Sequence, residues 1–372
     1  MLDERQMGDL MLAEIESAER PSGVLNLDQA MTTGRRQRRQ ARGAGAVLLA
    51  AALAVGGLTV PDLLTAERPP ATAPFGPGQT GPGQTGLPAA LTTVDPQRVY
   101  VRFGWLPDGL RDLQYQAGLM LGGSGVYLGA SNGQPNDARF VGVSLLPKGV
   151  QPSAPQRDSG EPASPTGTSN GPALNGGDST FASYSGAEKP EAILRWRYAP
   201  DGWAQVRVFG MGPDARGIAA QVARSLRFGN DLVPMPATVP DVPAALRLIE
   251  VSVHESLDKP EDWYTRMTWS PEPATAEPRW QRARTLSVGV SRYRNVTDPA
   301  DKAYVDPNTT LDGHPARFGG KDGNETLTVY DVDGATVSID DSALLPAGGT
   351  RALFPKITLV AEPAAWHTHL HP

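Results

Sequence analysis

The chain has 372 residues, a formal net charge of −6 at pH 7 and no cysteine. Its length leaves room for two or three domains, and the missing cysteine excludes disulfides and thiolate metal sites. The acidic balance argues against nucleic acid as a partner, because nucleic-acid binding requires a basic face. Residues 1–42 balance seven arginines against seven acids, so the whole acidic excess lies after residue 42.

Residues 1–42 are predicted to form a cytoplasmic tail that contains a short amphipathic helix. Met7, Leu10, Met11 and Ile15 share one helical face, and Pro21 ends the periodic pattern. Two interpretations stay open, a docking helix for a cytoplasmic protein such as a sigma factor, and a juxtamembrane helix without a specific partner. The tail has no His or Cys, which excludes the zinc-binding type of anti-sigma domain.

Residues 43–61 carry no charged side chain and follow five arginines within residues 35–42. Nineteen helical residues span roughly 28 Å, which is close to the hydrocarbon thickness of a bilayer. The pattern therefore predicts a transmembrane helix with the lipid bilayer as a partner. The arginine cluster predicts a cytoplasmic N-terminus and an extracytoplasmic C-terminal region. A cleaved signal peptide is the main alternative.

Residues 62–98 are predicted to be a Pro/Gly-rich linker. Residues 76–85 contain a five-residue sequence twice in tandem, and proline within it favours an extended spacer. The repeat also matches a dinucleotide-binding glycine motif, but neither a strand before it nor a helix after it is predicted.

Residues 99–233 are predicted to form a first extracytoplasmic subdomain. Short alternating stretches predict strands, and residues 199–202 predict a hairpin turn. Residues 214–226 have the apolar spacing of a helix that closes this subdomain.

Residues 234–372 are predicted to form a second, related subdomain. The turn at 331–334 and the stretch Leu311 to Gly313 correspond to turns of the first half, at an offset of about 130 residues. The predicted fold class is therefore α+β, with one transmembrane helix followed by two tandem subdomains of twisted antiparallel sheet.

Four tryptophans are weak candidates for a binding groove. Aromatic rings on strands can line a site for sugar or peptide, but they also commonly fill protein cores. Core packing is the favoured interpretation of these side chains, which are Trp196, Trp203, Trp263 and Trp269.

The C-terminus holds a weak candidate metal site. His367, His369 and His371 would share one face of an extended segment and could converge on a divalent metal. The alternative is a frayed terminus whose imidazoles lie in water. No cofactor is expected, and no catalytic motif is recognised; the sequence at 254–258 begins like a zinc-protease motif but ends in aspartate on a predicted strand.

The arrangement resembles membrane-anchored proteins of actinobacteria whose outer regions are similar to the extracytoplasmic halves of anti-sigma factors and to lipoprotein-carrier-like sheets. The stretches that carry the resemblance are 106–110, 194–209 and 218–226. The resemblance implies envelope sensing, and it transfers no functional residue to this chain.

The leading prediction is a non-enzymatic binding or sensing protein of the bacterial cell envelope, with a link to sigma-factor regulation. A cell-envelope hydrolase and a structural assembly scaffold are the alternatives. The hydrolase would need a pair of acids in a cleft, and the scaffold would need large exposed apolar patches.

Overall fold

The computed structural model describes residues 89–120, 123–134, 137–154, 164–174, 177–184, 191–259, 262–271, 284–292, 306–321, 323–360 and 368–371. Alternating apolar and polar residues give these segments the period of β-strands, and their burial alternates with the same period. Eighteen strands and two α-helices lie within the described residues.

The first half of the described chain holds nine strands and one helix. They are β1 Arg98–Arg102, β2 Asp112–Met120, β3 Gly123–Ser131, β4 Phe140–Leu145, β5 Pro165–Asn170, β6 Ser179–Tyr184, β7 Glu191–Ala199, β8 Gly202–Phe209, α1 Ala215–Ser225 and β9 Arg227–Leu232. A short 3-10 helix at Gly212–Asp214 leads into α1.

The second half has the same inventory. It consists of β10 Ala237–Thr238, β11 Arg247–Ser256, β12 Trp263–Ser270, β13 Leu286–Ser291, β14 Thr309–Leu311, β15 His314–Lys321, β16 Asn324–Val332, β17 Ala335–Ser342, α2 Gly349–Leu353 and β18 Thr358–Leu359. A 3-10 helix at Phe354–Lys356 follows α2 directly.

Fourteen strands form one continuous antiparallel sheet in the order β14-β15-β16-β17-β13-β12-β11-β2-β3-β4-β8-β7-β6-β5. The two halves meet where β11 pairs with β2, over the register from Glu250 opposite Gly118 to Ser256 opposite Asp112. Outward from this joint, both halves have the same strand order. The first half runs β2-β3-β4-β8-β7-β6-β5, and the second half runs β11-β12-β13-β17-β16-β15-β14. Each half also adds a two-stranded sheet, β1 with β9 and β10 with β18.

One face of the long sheet carries the main apolar core. Leu113 and Tyr115 of β2 and Val251 of β11 are fully buried there, and α1 lies against β7 and β8 on the same side. The second helix, α2, lies against β16 and β17, the equivalent strands of the second half. We call the opposite side of the sheet the polar face, because the alternate residues there are mainly Gln, Ser, Tyr, Arg and His.

The predicted α+β class with two separate subdomain sheets is wrong. The described chain is mainly β, and one sheet runs through both halves. The predicted helix is present at Ala215–Ser225, but it does not close the first half, because β9 follows it and pairs with β1. Strand order within a half was not readable from local patterns, since it depends on pairing between distant segments.

The predicted single-pass, signal-anchored organisation and its bilayer partner are not supported either. Within the described residues, no helix combines the length and the apolar character needed to cross a membrane. The predicted span 43–61 and the predicted tail 1–42 lie outside the described residues. Of the predicted linker, residues 89–98 are described, and Leu91 is buried there, its backbone N–H donating to the Tyr198 hydroxyl at 3.1 Å.

Candidate functional site

A row of polar side chains crosses seven neighbouring strands of the polar face. Strand register places these residues side by side in the order Arg195, Gln205, Ser144, Tyr127, Gln116, Ser252 and Arg266. Six strand spacings make the row roughly 29 Å long. We call it the polar row; it passes through the joint between the two halves, because Gln116 lies on β2 and Ser252 on β11.

Tyr127 is the most deeply buried member of the polar row. Its side chain is 6% exposed, and its hydroxyl has no hydrogen-bond partner in the described part of the chain. The ring leans over Gly129, where a Cβ would lie 2.6 Å from the hydroxyl oxygen, so only glycine leaves room for it. Burial raises the pKa of Tyr127, which keeps the hydroxyl protonated. A buried hydroxyl without a partner favours an acceptor beside it, either a water molecule or a group of a ligand.

The second-half end of the polar row is a compact charged network. Arg266 donates from Nη2 to Ser287 Oγ at 3.0 Å, and the same nitrogen lies 3.9 Å from Asp340 Oδ2. Burial raises the pKa of Glu250, and the charge of Arg266 and a hydrogen bond from Gln116 offset part of that rise. Burial also raises the pKa of Tyr264. The Arg266 guanidinium is therefore compensated by acids of its own half.

An equivalent acid lies across the joint in the first half. In the β2–β11 pairing, Asp112 occupies the position in the first half that Glu250 has in the second, and Gln116 the position that His254 has. Asp112 therefore interacts with His254 as Glu250 does with Gln116. Burial raises the pKa of Asp112, and His254 and a hydrogen bond from Ser256 act in the opposite direction. Burial lowers the pKa of His254, with Asp112 as the main opposing influence.

This acid pair does not have the geometry of a glycoside hydrolase. Asp112 lies opposite Ser256, six residues along β11 from Glu250, which corresponds to a separation of about 20 Å. Two carboxylates that cleave one glycosidic bond lie about 5 to 10 Å apart. Asp112 and Glu250 therefore act in separate environments.

The first-half end of the polar row is basic and aromatic. The Arg195 guanidinium lies over the Tyr184 ring at 5.5 Å from its centroid, and Arg197 lies over Trp203 at 5.3 Å. Arg195 also donates from Nε to Gln205 Oε1 at 2.9 Å. Aromatic support of this kind holds a guanidinium in place while its edge N–H groups form hydrogen bonds, as Nε of Arg195 does.

The four candidate tryptophans do not form a common groove. Trp196 is 1% exposed and Trp263 is 4% exposed, both on the core face, and Trp269 packs against the core as well. Trp203 is the one that lies on the polar face, half-buried under Arg197. Core packing thus accounts for three of them.

The C-terminal segment is anchored to the core rather than frayed. Leu370 is fully buried, and its carbonyl accepts the Phe103 N–H at 2.9 Å. The buried Glu255 carboxylate accepts the backbone N–H groups of Thr368 and Leu370. Backbone groups thus supply the partners that a buried carboxylate requires.

The candidate metal ligands are only partly described. His369 and His371 both take part in further contacts, and His369 has a φ of +50°, so the run is not extended there. His367 lies outside the described residues, and within the described ranges no three potential ligands cluster.

Sequence patterns missed most of this site. Gln114, Gln116, Ser252 and Tyr264 are ordinary outward residues of alternating strands, and their meeting depends on the β2–β11 pairing. A signal was present only at Glu255, a charged residue in an otherwise apolar alternation on β11.

Comparison with known proteins gives little direct help. No family model matches the chain, and no curated protein matches it. The crystal structure of MucB in complex with MucA(peri) is 10% identical and has a TM-score of 0.22, covering 68% of this chain and 95% of that one. The complex structure of Pseudomonas aeruginosa MucA/MucB is also 10% identical with a TM-score of 0.22, covering 72% and 95%. The likeness to MucB is therefore weak.

Proposed function

We propose that this chain is a non-enzymatic binding or sensing protein of the bacterial cell envelope that holds an extended polar ligand along the polar row. The buried, unpartnered hydroxyl of Tyr127 in the middle of that row carries the proposal. Half-buried Gln116 and Arg266, both on the second-half side of Tyr127, add polar side chains to the row. A row of donors across a rigid sheet favours binding over chemistry, because nothing in it forms a nucleophile and base pair.

A thermal-shift experiment on the purified full chain tests this proposal. Soluble cell-wall fragments, wall polysaccharide and acidic peptides are added separately, and the melting temperature is measured. A ligand that binds only the folded chain raises the melting temperature. We expect at least one class to do so, and Tyr127→Phe and Gln116→Leu to reduce the shift.

Arg224→Gln provides the control, because this exposed residue lies on α1, away from the polar face. Its ligand-induced shift should equal that of the unmodified chain. If no class raises the melting temperature, or if all three variants respond alike, the polar row is not the binding site.

The envelope location can be tested with a single introduced cysteine, because the chain has none of its own. Gln134 is exposed after β3, so Gln134→Cys introduces a single thiol into a chain that otherwise has none. A membrane-impermeant maleimide should label this variant in intact cells as strongly as in lysed cells. Labelling only after lysis would place the folded region in the cytoplasm.

A link to sigma-factor regulation is the finer part of the proposal. It is supported by the sequence resemblance and by the amphipathic pattern of residues 1–42. Photo-cross-linking from Met11 in the full chain should capture a sigma factor in cells. Absence of that product, with the chain present at normal level, would remove the regulatory role and leave ligand binding unaffected.

A further inference from the structure

The basic end of the polar row contains two guanidinium groups without an acidic partner among the described residues. Neither Arg195 nor Arg197 forms an ion pair with a carboxylate of the described residues. The acceptors of Arg195 are neutral, namely Gln205 Oε1 at 2.9 Å, the Ser153 carbonyl at 2.6 Å and the Tyr184 side chain. At the other end, Arg266 has acidic neighbours.

Burying a guanidinium without a counter-charge costs free energy that neutral partners offset only in part. Burial lowers the pKa of Arg195 for the same reason. An anion at this position would restore the missing compensation. The cation is retained at a cost, which is typical of a binding position.

The spacing of the two guanidinium groups defines the shape of the partner. Arg195 and Arg197 lie two residues apart on β7 and therefore point to the same face, about 7 Å from each other. The Arg195 guanidinium lies over the ring of Tyr184, and the Arg197 guanidinium lies over the ring of Trp203. Alternate side chains of an extended peptide also recur about every 7 Å.

We propose that Arg195 and Arg197, supported by Tyr184 and Trp203, bind an acidic peptide segment in extended conformation. Carboxylates on alternate residues of the segment each accept hydrogen bonds from one guanidinium. The segment lies along β7. This inference deepens the proposed function by naming the chemistry of one partner.

The test uses two fluorescein-labelled peptides of about ten residues. In one, glutamate alternates with threonine; in the other, the same residues form one glutamate block and one threonine block. Fluorescence anisotropy with the full chain measures both affinities. We expect the alternating peptide to bind at least about fivefold tighter, with an affinity that falls as salt is raised.

Variants of the full chain separate specific recognition from general charge. Arg197 is exposed on β7. The substitution Arg197→Gln should weaken binding of the alternating peptide about tenfold, because a charge-assisted contact is lost. Arg195→Lys keeps the charge but loses the planar fork, and should weaken it as well. Arg227→Gln, an exposed position on β9, should bind like the unmodified chain.

Equal binding of the two peptides, or equal binding by the Arg197 and Arg227 variants, would overturn the acidic-peptide inference. Binding of a uronic-acid polysaccharide at Arg197 in place of the peptide would overturn it too. In each case the proposed function would still stand if another ligand raised the melting temperature and Tyr127→Phe reduced that rise. If no ligand raised the melting temperature in a Tyr127-dependent way but the alternating peptide still bound at Arg197, the proposed function would be refuted and the peptide site would stand.

Discussion

Single ionisable residues on the polar face set how this chain responds to pH. Glu250, Asp112 and His254 all lie beside the joint between the halves, and burial disfavours the charged form of each. The acids hold their protons more tightly in the folded chain, and the histidine holds its proton less tightly. Their contributions to the free energy of unfolding therefore change in opposite directions with pH.

Glu250→Gln should stabilise the chain at pH 7. Because the pKa of Glu250 is raised in the folded chain, this residue stabilises the folded chain at pH values below its pKa in the unfolded chain. That stabilisation is lost as pH rises through its pKa in the folded chain. Gln keeps the shape without the charge, so we expect a gain of up to about 1 kcal/mol in urea unfolding at pH 7. The gain should vanish near pH 4. A variant less stable than the unmodified chain at pH 7 would show that Arg266 requires this carboxylate.

His254→Asn should reduce the loss of stability in mild acid. The lowered pKa of His254 means that the unfolded chain takes up a proton near pH 6.5 before the folded chain does. Stability is then lost as pH falls from about 6.5 through the folded pKa. Urea unfolding between those limits should give a shallower slope for the variant. An unchanged slope would mean that Asp112 keeps His254 equally protonated in both states.

At the scale of elements, the C-terminal segment is held in the core by hydrogen bonds from its backbone to a buried side chain. Glu255 takes the place on β11 that Ala117 has on β2, and it holds the last residues of the chain instead of packing directly. Position for position, an apolar contact in one half is replaced by a hydrogen-bonded carboxylate in the other. The C-terminal residues complete the core of the joint.

Leu370→Ala should destabilise the chain by about 2 to 5 kcal/mol, because a fully buried leucine leaves a cavity. Leu232→Ala is the matched control; Leu232 is 63% exposed, and its loss should change stability by less than about 0.5 kcal/mol. Thermal unfolding of the two variants measures both effects. Equal melting temperatures would mean that the C-terminal segment is detached in solution.

Local elements were predictable and their assembly was not. The predicted turns at 199–202 and 331–334 are present, with Asp201 and Asp333 at positive φ, and α1 begins and ends within one residue of the predicted bounds. β5 was missed, because Pro165–Asn170 is a Gly/Ser/Thr stretch without apolar alternation. The polar row was missed because pairings between distant segments bring its members together, above all the pairing of Gln116 on β2 with Ser252 on β11.

At the scale of the whole described region, the pairing of β2 with β11 makes the two halves one sheet. Gly118 lies at the end of that pairing with a φ of +103°, and a Cβ there would meet the Ile249 carbonyl oxygen. A side chain at this position would therefore push β2 away from β11.

Gly118→Ala should destabilise both halves together, by more than about 1 kcal/mol. Amide hydrogen exchange measured on β3 reports on the first half, and exchange on β12 reports on the second. The exchange rates of both strands should increase to the same extent. Gly217→Ala is the control, since a methyl group there meets open space on α1 and should stabilise by about 0.5 to 1 kcal/mol. Faster exchange on one strand alone would show that the halves open independently.

The repeated strand order has a consequence for the ancestry of the chain. Cut between β9 and β10, either half would present β2 or β11 as a bare sheet margin, with its main-chain donors and acceptors unmatched. Two identical halves could satisfy each other there through a twofold axis, since the pairing is antiparallel. The present chain then corresponds to such a homodimer fused into one polypeptide. After such a fusion each copy can change alone, as Ala117 and Glu255 illustrate at corresponding positions of β2 and β11.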